Sequence, residues 1–203
     1  MWSTGDDPRV NPERPVRIDP RAVVHQEGII GLIAIVGLGL RDGSPIAGLG
    51  PRGGWVLALA IGLVAGLVIF LAVWALSWIR SVHRLEAWQR EMVGNWSAAD
   101  AAGVALISGL MEEALVRALF QPVVGLVPAA LIFGVLHFVP DRKAWVWPLL
   151  ATMLGLGLGV LFEYWGYPAA AVAHVTINLG GFWRLRHEYL HGGDVPAGGS
   201  GVE

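Results

Sequence analysis

The 203-residue chain contains no cysteine and few charged side chains. The absence of cysteine excludes a disulfide framework, a thiolate nucleophile and a zinc site with cysteine ligands. Charged residues make up only 15% of the chain and the net charge is −2, so we expect no nucleic-acid partner, which would need a basic surface for its phosphates. Apolar residues make up 55%, which excludes a disordered protein, because disordered chains are poor in apolar residues.

Long uncharged runs are the main feature that is present. A membrane-spanning helix needs about 20 mostly apolar residues, and runs of 27, 23, 19 and 20 uncharged residues occupy positions 53–79, 118–140, 144–162 and 164–183. A fifth run continues on both sides of Glu112 and Glu113, and a sixth covers 22–40 if Glu27 is tolerated. Tryptophans near the ends of the runs are typical of helices that end at a membrane–water interface. We therefore predict an all-α, polytopic transmembrane helical bundle of about six spans.

The positions of the basic residues predict the orientation of these spans. With six spans, 11 of the 14 Lys and Arg residues fall on one side and only Arg41 and Arg52 fall on the other. Without a span at 22–40 this bias disappears. Because basic loops face the cytoplasm, six spans with both termini cytoplasmic are favoured, most simply in the cell (inner) membrane.

Three regions are expected along the chain. Residues 1–27 are polar and lack the apolar stretch of a signal peptide, so we expect a cytoplasmic tail. Residues 28–184 are the predicted transmembrane domain, and residues 185–203 are a polar, Gly-rich C-terminal tail.

Ionisable residues inside membrane spans are costly and are functional candidates by default. The set here is Glu112, Glu113, Arg117, His137, Glu163 and His174, with the polar Asn178 one turn after the last.

The spacing within one helix separates the two adjacent glutamates. Ser97 and Asp100 form a capping box that predicts a helix start near 98, and Gln121-Pro122 is expected to end this helix. Glu113 is four residues before Arg117 and is expected to form an ion pair with it. Glu112 is turned about 100° away and is free to face a cavity.

The histidines lie on two later helices. Phe133 and His137 are four residues apart, and so are His174 and Asn178, so each pair lies on one helix face. Convergence on one wet cavity would satisfy all these groups, whereas a purely structural polar cluster is the alternative. Straight helices would put Glu112 about 10 Å and His137 about 21 Å from the same membrane face, so a tilt or a deeper connection is needed to join them.

These residues resemble the motifs of a known family. EEALVR at 112–117, FGVLH at 133–137 and HVTIN at 174–178 are similar, in order, to the EExxxR, FxxxH and HxxxN motifs of the CAAX-protease and bacteriocin-processing (CPBP, or Abi) intramembrane proteases. The type II CAAX prenyl endopeptidases are members. The resemblance covers roughly 95–185.

The resemblance implies a hydrolase, an endopeptidase that cleaves membrane-associated or lipidated proteins or peptides. By position, Glu112 would activate a water molecule as general base with help from His137. His174 and Asn178 would stabilise the oxyanion of the tetrahedral intermediate. Preorganised donors of this kind are worth about 2.7–4 kcal/mol each.

Other residues would act as supports, and a metal is an open question. The resemblance implies that Glu113 and Arg117 pair and that Phe133 holds the site in position. The family is also called a metalloprotease family, and Glu113, His137 and His174 are possible ligands of a single Zn²⁺. A mechanism that requires no cofactor is the other possibility.

Rival interpretations come from other classes. A catalytically inactive scaffold or accessory protein of the same family would keep the fold, and a small transporter would also explain intramembrane charges. Residues 187–191 read HEYLH, a literal HExxH zinc motif, but it lies just beyond the last predicted span. We expect this segment to be the amphipathic end of the last helix.

Overall fold

The computed structural model describes residues 17–192, and this range contains helices and no β-strand. The predicted all-α bundle is confirmed. In chain order the α-helices are α1 (Pro20–Asp42), α2 (Trp55–Ala75), α3 (Arg80–Val93), α4 (Ala98–Glu113), α5 (Gln121–Val124), α6 (Leu126–Leu136), α7 (Trp147–Trp165) and α8 (Tyr167–His191). A 3₁₀ turn, Leu76–Trp78, extends α2, and a π-helix, Ala114–Phe120, joins α4 to α5.

Three of the helices are long and apolar enough to cross a membrane. They are α1, α2 with its 3₁₀ turn, and α7, while α6 is apolar but shorter. The ambiguous segment 22–40 therefore lies in a helix of spanning length. The total of six spans stays a prediction.

The first helix begins earlier than expected. Asp19 caps α1 by accepting a hydrogen bond from the backbone N–H of Arg21, and Pro20 takes a first-turn position that suits its fixed φ. Residues 20–27, which the sequence assigned to the polar tail, are therefore helical. The last helix likewise continues past 184 to His191, while residues 1–16 and 193–203 of the two predicted tails lie outside the described range.

The connection between α4 and α6 also differs from expectation. The capping box of Ser97 and Asp100 starts α4 as predicted. The helical path does not end at Gln121-Pro122, because Pro122 falls in the first turn of α5, where its missing N–H costs nothing. The path ends at Gly125, whose φ of 86° is accessible mainly to glycine.

This later turn removes the expected mismatch in depth between Glu112 and His137. Glu112 lies 12 residues before the end of α5, about 18 Å along the axis, and His137 lies 11 residues after the start of α6, about 17 Å. The two residues therefore reach the same depth without a special tilt.

One end of the bundle gathers four segments that are distant in sequence. Ile18 before α1 donates its N–H to Met92 of α3 (3.1 Å), and Trp88 of α3 donates to Asp141 in the loop before α7 (2.9 Å). Arg186 near the end of α8 donates to the carbonyl of Trp96 (3.1 Å). We refer to this as the α3 end. At the opposite end, Arg52 donates its N–H to the carbonyl of Trp165 (3.0 Å).

Small residues allow α8 to lie directly against its neighbours. A Cβ atom added at Gly66 of α2 would come within 2.7 Å of the Ala173 carbonyl oxygen, and one at Gly62 within 2.5 Å of the Ala169 carbonyl oxygen. A Cβ at Gly109 of α4 would lie 2.7 Å from the Val175 nitrogen. The small-xxx-small pattern at 62 and 66 thus marks a real helix contact.

Because these neighbours are backbone atoms, they cannot rotate away from a new side chain. We expect Gly66→Ala to destabilise the protein by about 1–3 kcal/mol, the usual cost of overpacking. The check is the thermal unfolding midpoint in one detergent. Gly103→Ala on α4 is the matched control, since a Cβ there meets nothing within 4 Å and is expected to be neutral or slightly stabilising. Equal midpoints for the two variants would contradict the close contact.

Candidate active site

The three predicted motifs meet between α4, α6 and α8. Glu112 and Glu113 are the last residues of α4, directly before the π-helix. His137 follows the last residue of α6, and His174 lies about two turns after the start of α8. The Glu112 Oε2 and His137 Nε2 atoms are 3.8 Å apart, and Glu113 Oε1 is 3.0 Å from His174 Nδ1. The structure therefore brings both adjacent glutamates to histidines, each to a different one.

Glu113 forms the predicted ion pair with Arg117. The Arg117 Nε atom donates to Glu113 Oε2 at 3.0 Å, and both side chains are completely buried. The other oxygen of Glu113 accepts from His174. Both oxygens of this carboxylate are therefore occupied, as a buried charge requires.

Arg117 continues this network toward the opposite end of the bundle. Its Nη1 atom donates to Gln121 Oε1 (3.3 Å). The Gln121 amide then donates to the Gly159 carbonyl (3.0 Å) and to Glu163 of α7 (3.2 Å). Glu163 thus belongs to the support of Arg117 and is remote from Glu112. The sequence analysis did not single out Gln121 as a support.

Phe133 is the apolar support of the same site. Its ring is 1% exposed and lies 5.3 Å from the Arg117 guanidinium carbon, 4.6 Å from the His137 ring and 5.6 Å from the His174 ring, measured to the ring centroid. One aromatic ring thus lies beside the cation and both histidines. Such contacts restrict the side-chain rotamers of all three.

The hydrogen bonds of His137 define its tautomer. Its Nδ1 atom is 2.8 Å from the Phe133 carbonyl oxygen, which can only accept, so Nδ1 carries a hydrogen. In the neutral ring, Nε2 is then an acceptor that faces Glu112. The 3.8 Å separation exceeds a hydrogen bond, and Glu112 Oε2 is buried with no hydrogen-bond partner.

Asn178 lies on the same helix face as His174 but has a partner of its own. Its Nδ2 atom donates to the Ser108 hydroxyl of α4 at 2.9 Å. Ser108 and Gly109 are small, so α8 approaches α4 closely enough for this bond and for the bond between His174 and Glu113. One of the two amide hydrogens of Asn178 is left for another acceptor.

Glu27 is a neighbour of the site that the sequence analysis treated only as a charge to be tolerated in a span. It lies on α1 and is 4% exposed, and α1 packs against α4, the helix that carries Glu112. Its Oε2 atom is buried and has no partner. The sequence feature that could have identified Glu27 as a candidate is its isolation, since it is the only charged residue between Arg21 and Arg41.

The possible zinc ligands do not form a metal site. Within residues 17–192, no group of three or more His, Asp or Glu side chains is arranged to hold a metal ion. Of the possible set, Glu113 uses both oxygens for Arg117 and His174, and His137 faces Glu112 instead. The donor set of Glu113, His137 and His174 does not fit Zn²⁺, and we derive no step from a metal.

The HExxH segment has a structural role at the end of α8. Glu188 forms ion pairs with Arg184 (2.8 Å) and Arg90 of α3 (3.4 Å), while the rings of His187 and His191 stack at 4.2 Å. The motif glutamate is therefore occupied by two arginines that join α8 to α3. The acidic residues that follow this motif in the sequence, Asp194 and Glu203, lie outside the described range.

The fold and the site together describe an α-helical protein with helices long enough to cross a membrane and with a buried contact between a carboxylate, Glu113, and a histidine, His174. Residues 94–180 match the family model described as "Type II CAAX prenyl endopeptidase Rce1-like". No curated protein and no solved structure matches the chain significantly. The match confirms the resemblance that the three motifs indicate: residues 94–180, less than half of the chain, are similar to the CAAX protease family. This similarity supports a CAAX-type membrane endopeptidase at the level of the family.

Proposed function

We propose that the protein hydrolyses peptide bonds of lipidated substrates at the membrane, with Glu112 as the general base. One observation carries this proposal: Glu112 Oε2 is buried, has no hydrogen-bond partner and lies 3.8 Å from the acceptor nitrogen of His137. Two such atoms are too far apart for a direct hydrogen bond but suit a bridging water molecule. Glu112 and His137 are therefore placed to polarise one water together.

The reaction then needs only the atoms of water and the peptide. Glu112 accepts a proton while the water oxygen bonds to the carbonyl carbon, and the carbonyl oxygen becomes an oxyanion. Glu112 returns this proton to the leaving nitrogen as the C–N bond breaks, which yields a carboxylic acid and an amine. Acid–base assistance of this kind contributes about 10²–10⁴-fold to the rate.

His174 and Asn178 are the proposed donors to the oxyanion. His174 donates through Nδ1 to Glu113, so its Nε2 atom donates to the oxyanion when the ring is an imidazolium. Glu113 supplies the counter-charge. Asn178 offers its second amide hydrogen, with Ser108 fixing the amide plane. Donors held before the reaction begins stabilise the transition state without reorganisation.

We propose that the site opens toward the α3 end and that this end faces the cytoplasm. His137 directly follows α6, and its ring lies 5.5 Å from that of Trp147 at the start of α7. The same end carries the arginines of α3 and of the end of α8, which is the side that basic residues prefer. A substrate would therefore approach from the cytoplasmic leaflet.

We propose a substrate with a prenyl or similar lipid group close to the cleaved bond. The description of the matching family model names a prenyl endopeptidase, and many large apolar side chains are exposed on the surface of the bundle. A lipid anchor would hold the peptide at the depth of Glu112 and raise its local concentration.

The test compares two peptides of one sequence, with and without a farnesyl group on a cysteine near the C-terminus. We expect the reconstituted full chain to cleave the lipidated peptide at least about tenfold faster, because anchoring raises the effective concentration. Mass spectrometry of the products and initial rates are the measurements. If folded protein cleaves neither this peptide nor any other lipid-anchored peptide, the inactive scaffold would be the correct interpretation.

A further inference from the structure

A cavity of about 340 Å³ lies at the end of the bundle opposite the α3 end. It is enclosed by the loop that joins α1 to α2, by the π-helix and α5, and by the junction of α7 with α8. Its volume falls within the usual range of ligand pockets, about 300–1,000 Å³. Two arginines, Arg41 and Arg52, line it together with one carboxylate, Asp42, and the ring of Phe162. The cavity is therefore a possible binding site that is separate from the proposed catalytic residues.

Arginines are unexpected at this end of the protein. The sequence places 11 of the 14 Lys and Arg residues on the other predicted side of the membrane, and only Arg41 and Arg52 on this one. Basic residues are generally scarce on the side of a membrane that does not face the cytoplasm. The fold nevertheless brings both of these arginines to the wall of one cavity.

Arg41 and Asp42 neutralise each other in that wall. The Arg41 Nε atom donates to Asp42 Oδ1 (2.7 Å), and its Nη2 atom donates to Asp42 Oδ2. The remaining Nη1 atom donates to the carbonyl oxygen of Leu119 in the π-helix. All three nitrogens of this guanidinium are therefore occupied, and both oxygens of the carboxylate accept from it.

Arg52 supplies the uncompensated positive charge of the cavity. Its backbone N–H donates to the Trp165 carbonyl (3.0 Å), which fixes the residue to the end of α7. Its guanidinium carbon lies 5.7 Å from the centroid of the Phe162 ring, a contact that orients the cation without neutralising it. Among residues 17–192, no carboxylate forms an ion pair with Arg52. Glu163 accepts from Gln121 (3.2 Å) and does not line the cavity.

We propose that this cavity binds a phosphate group and that Arg52 is the side chain that holds it. The parallel N–H donors of a guanidinium match the oxygens of a phosphate, which is the anion that arginine binds best. A lipid headgroup and a free phosphate ion offer the same chemistry. The position favours the lipid, because α1 and α7 end here and α2 begins here, at the depth of the headgroups. Leu40 and Ile46, in the same stretch of chain, have highly exposed apolar side chains that acyl chains can cover.

Native mass spectrometry of the full chain in detergent tests this site without any peptide substrate. The probes are phosphatidylglycerol and a diacylglycerol with the same acyl chains, which lacks the phosphate. We expect phosphatidylglycerol to bind and the diacylglycerol to bind at least about fivefold more weakly. Arg52→Gln is expected to lower the affinity for the first phosphatidylglycerol by about fivefold, the usual contribution of one basic side chain at a charged membrane surface.

Arg80→Gln is the matched control, because it removes the same charge from an exposed position at the α3 end. It is expected to leave the affinity for the first phosphatidylglycerol within about twofold of wild type, since this residue contributes nothing to the cavity. Equal affinities of the Arg52→Gln and Arg80→Gln proteins would overturn the proposal. Equal binding of the diacylglycerol and phosphatidylglycerol to the wild type would overturn it as well.

Inorganic phosphate distinguishes the two sources of the phosphate group. In excess over the lipid it is expected not to displace phosphatidylglycerol, because it lacks the acyl chains that add to the binding of the lipid. Displacement that requires Arg52 would instead assign the same site to a free phosphate ion. None of these measurements depends on peptide cleavage, so their outcome and that of the proposed function are decided separately.

Discussion

Glu112→Gln is expected to lower kcat by about 10²–10⁴-fold while the protein stays folded. Glutamine keeps the size of the side chain and can still contact His137, but its amide cannot accept a proton from water. The partly exposed Glu112 side chain makes no ion pair with Arg117, so the exchange leaves the buried network intact. The measurement is single-turnover cleavage of a lipidated peptide, together with the thermal midpoint.

Two variants sharpen this prediction. Glu91→Gln is the matched control, because Glu91 is an exposed residue of α3 away from the site and its exchange is expected to leave kcat unchanged. Glu112→Asp keeps the carboxylate but withdraws it by one methylene group, and an intermediate rate is expected. Full activity of a folded Glu112→Gln protein would rule out Glu112 as the base.

The different orientations of Glu112 and Glu113 could be predicted from the sequence because they are determined by spacing within a single helix. Residues four apart share a face in any helix, so the pairing of Glu113 with Arg117 follows from spacing alone. The common face of His174 and Asn178 follows in the same way. The roles assigned to them in catalysis stay predictions.

Contacts between different helices could not be predicted from spacing in this way. The burial of Glu27 depends on how α1 lies against α4, which the periodicity of either helix does not determine. The partnership of Asn178 with Ser108 likewise depends on the close approach of α8 to α4. An isolated carboxyl group in a predicted span is the sequence signal for such a buried acidic residue.

The predicted end of the helix at Gln121 was wrong because two local rules compete there. Proline was expected to end the helix at Gln121, but a π-helix precedes it and a proline is tolerated in the first turn that follows. The helical path ends at Gly125 instead. The expected mismatch in depth between Glu112 and His137 arose from this one wrongly predicted boundary. π-Helical turns are frequent at functional sites, and this one carries Arg117.

Arg117→Met is expected to destabilise the protein by about 3–5 kcal/mol, because it leaves the Glu113 carboxylate buried without its cation. The Arg117 side chain is completely buried, binds Gln121 as well, and lies against Phe133, so no water can replace it. The measurement is the unfolding free energy in mixed micelles. Arg142→Met, at an exposed loop position, is the matched control and is expected to change stability by less than about 0.5 kcal/mol.

The double variant Glu113→Leu with Arg117→Met separates stability from activity. Replacing both members of a buried ion pair by apolar residues is often neutral or stabilising, so we expect the double variant to recover at least half of the stability that Arg117→Met loses. Activity is not expected to return, because His174 then lacks the Glu113 oxygen that orients its ring. A stable and fully active double variant would show that the network only holds the helices together; a stable and inactive one would show that the same buried charges also position the oxyanion donor.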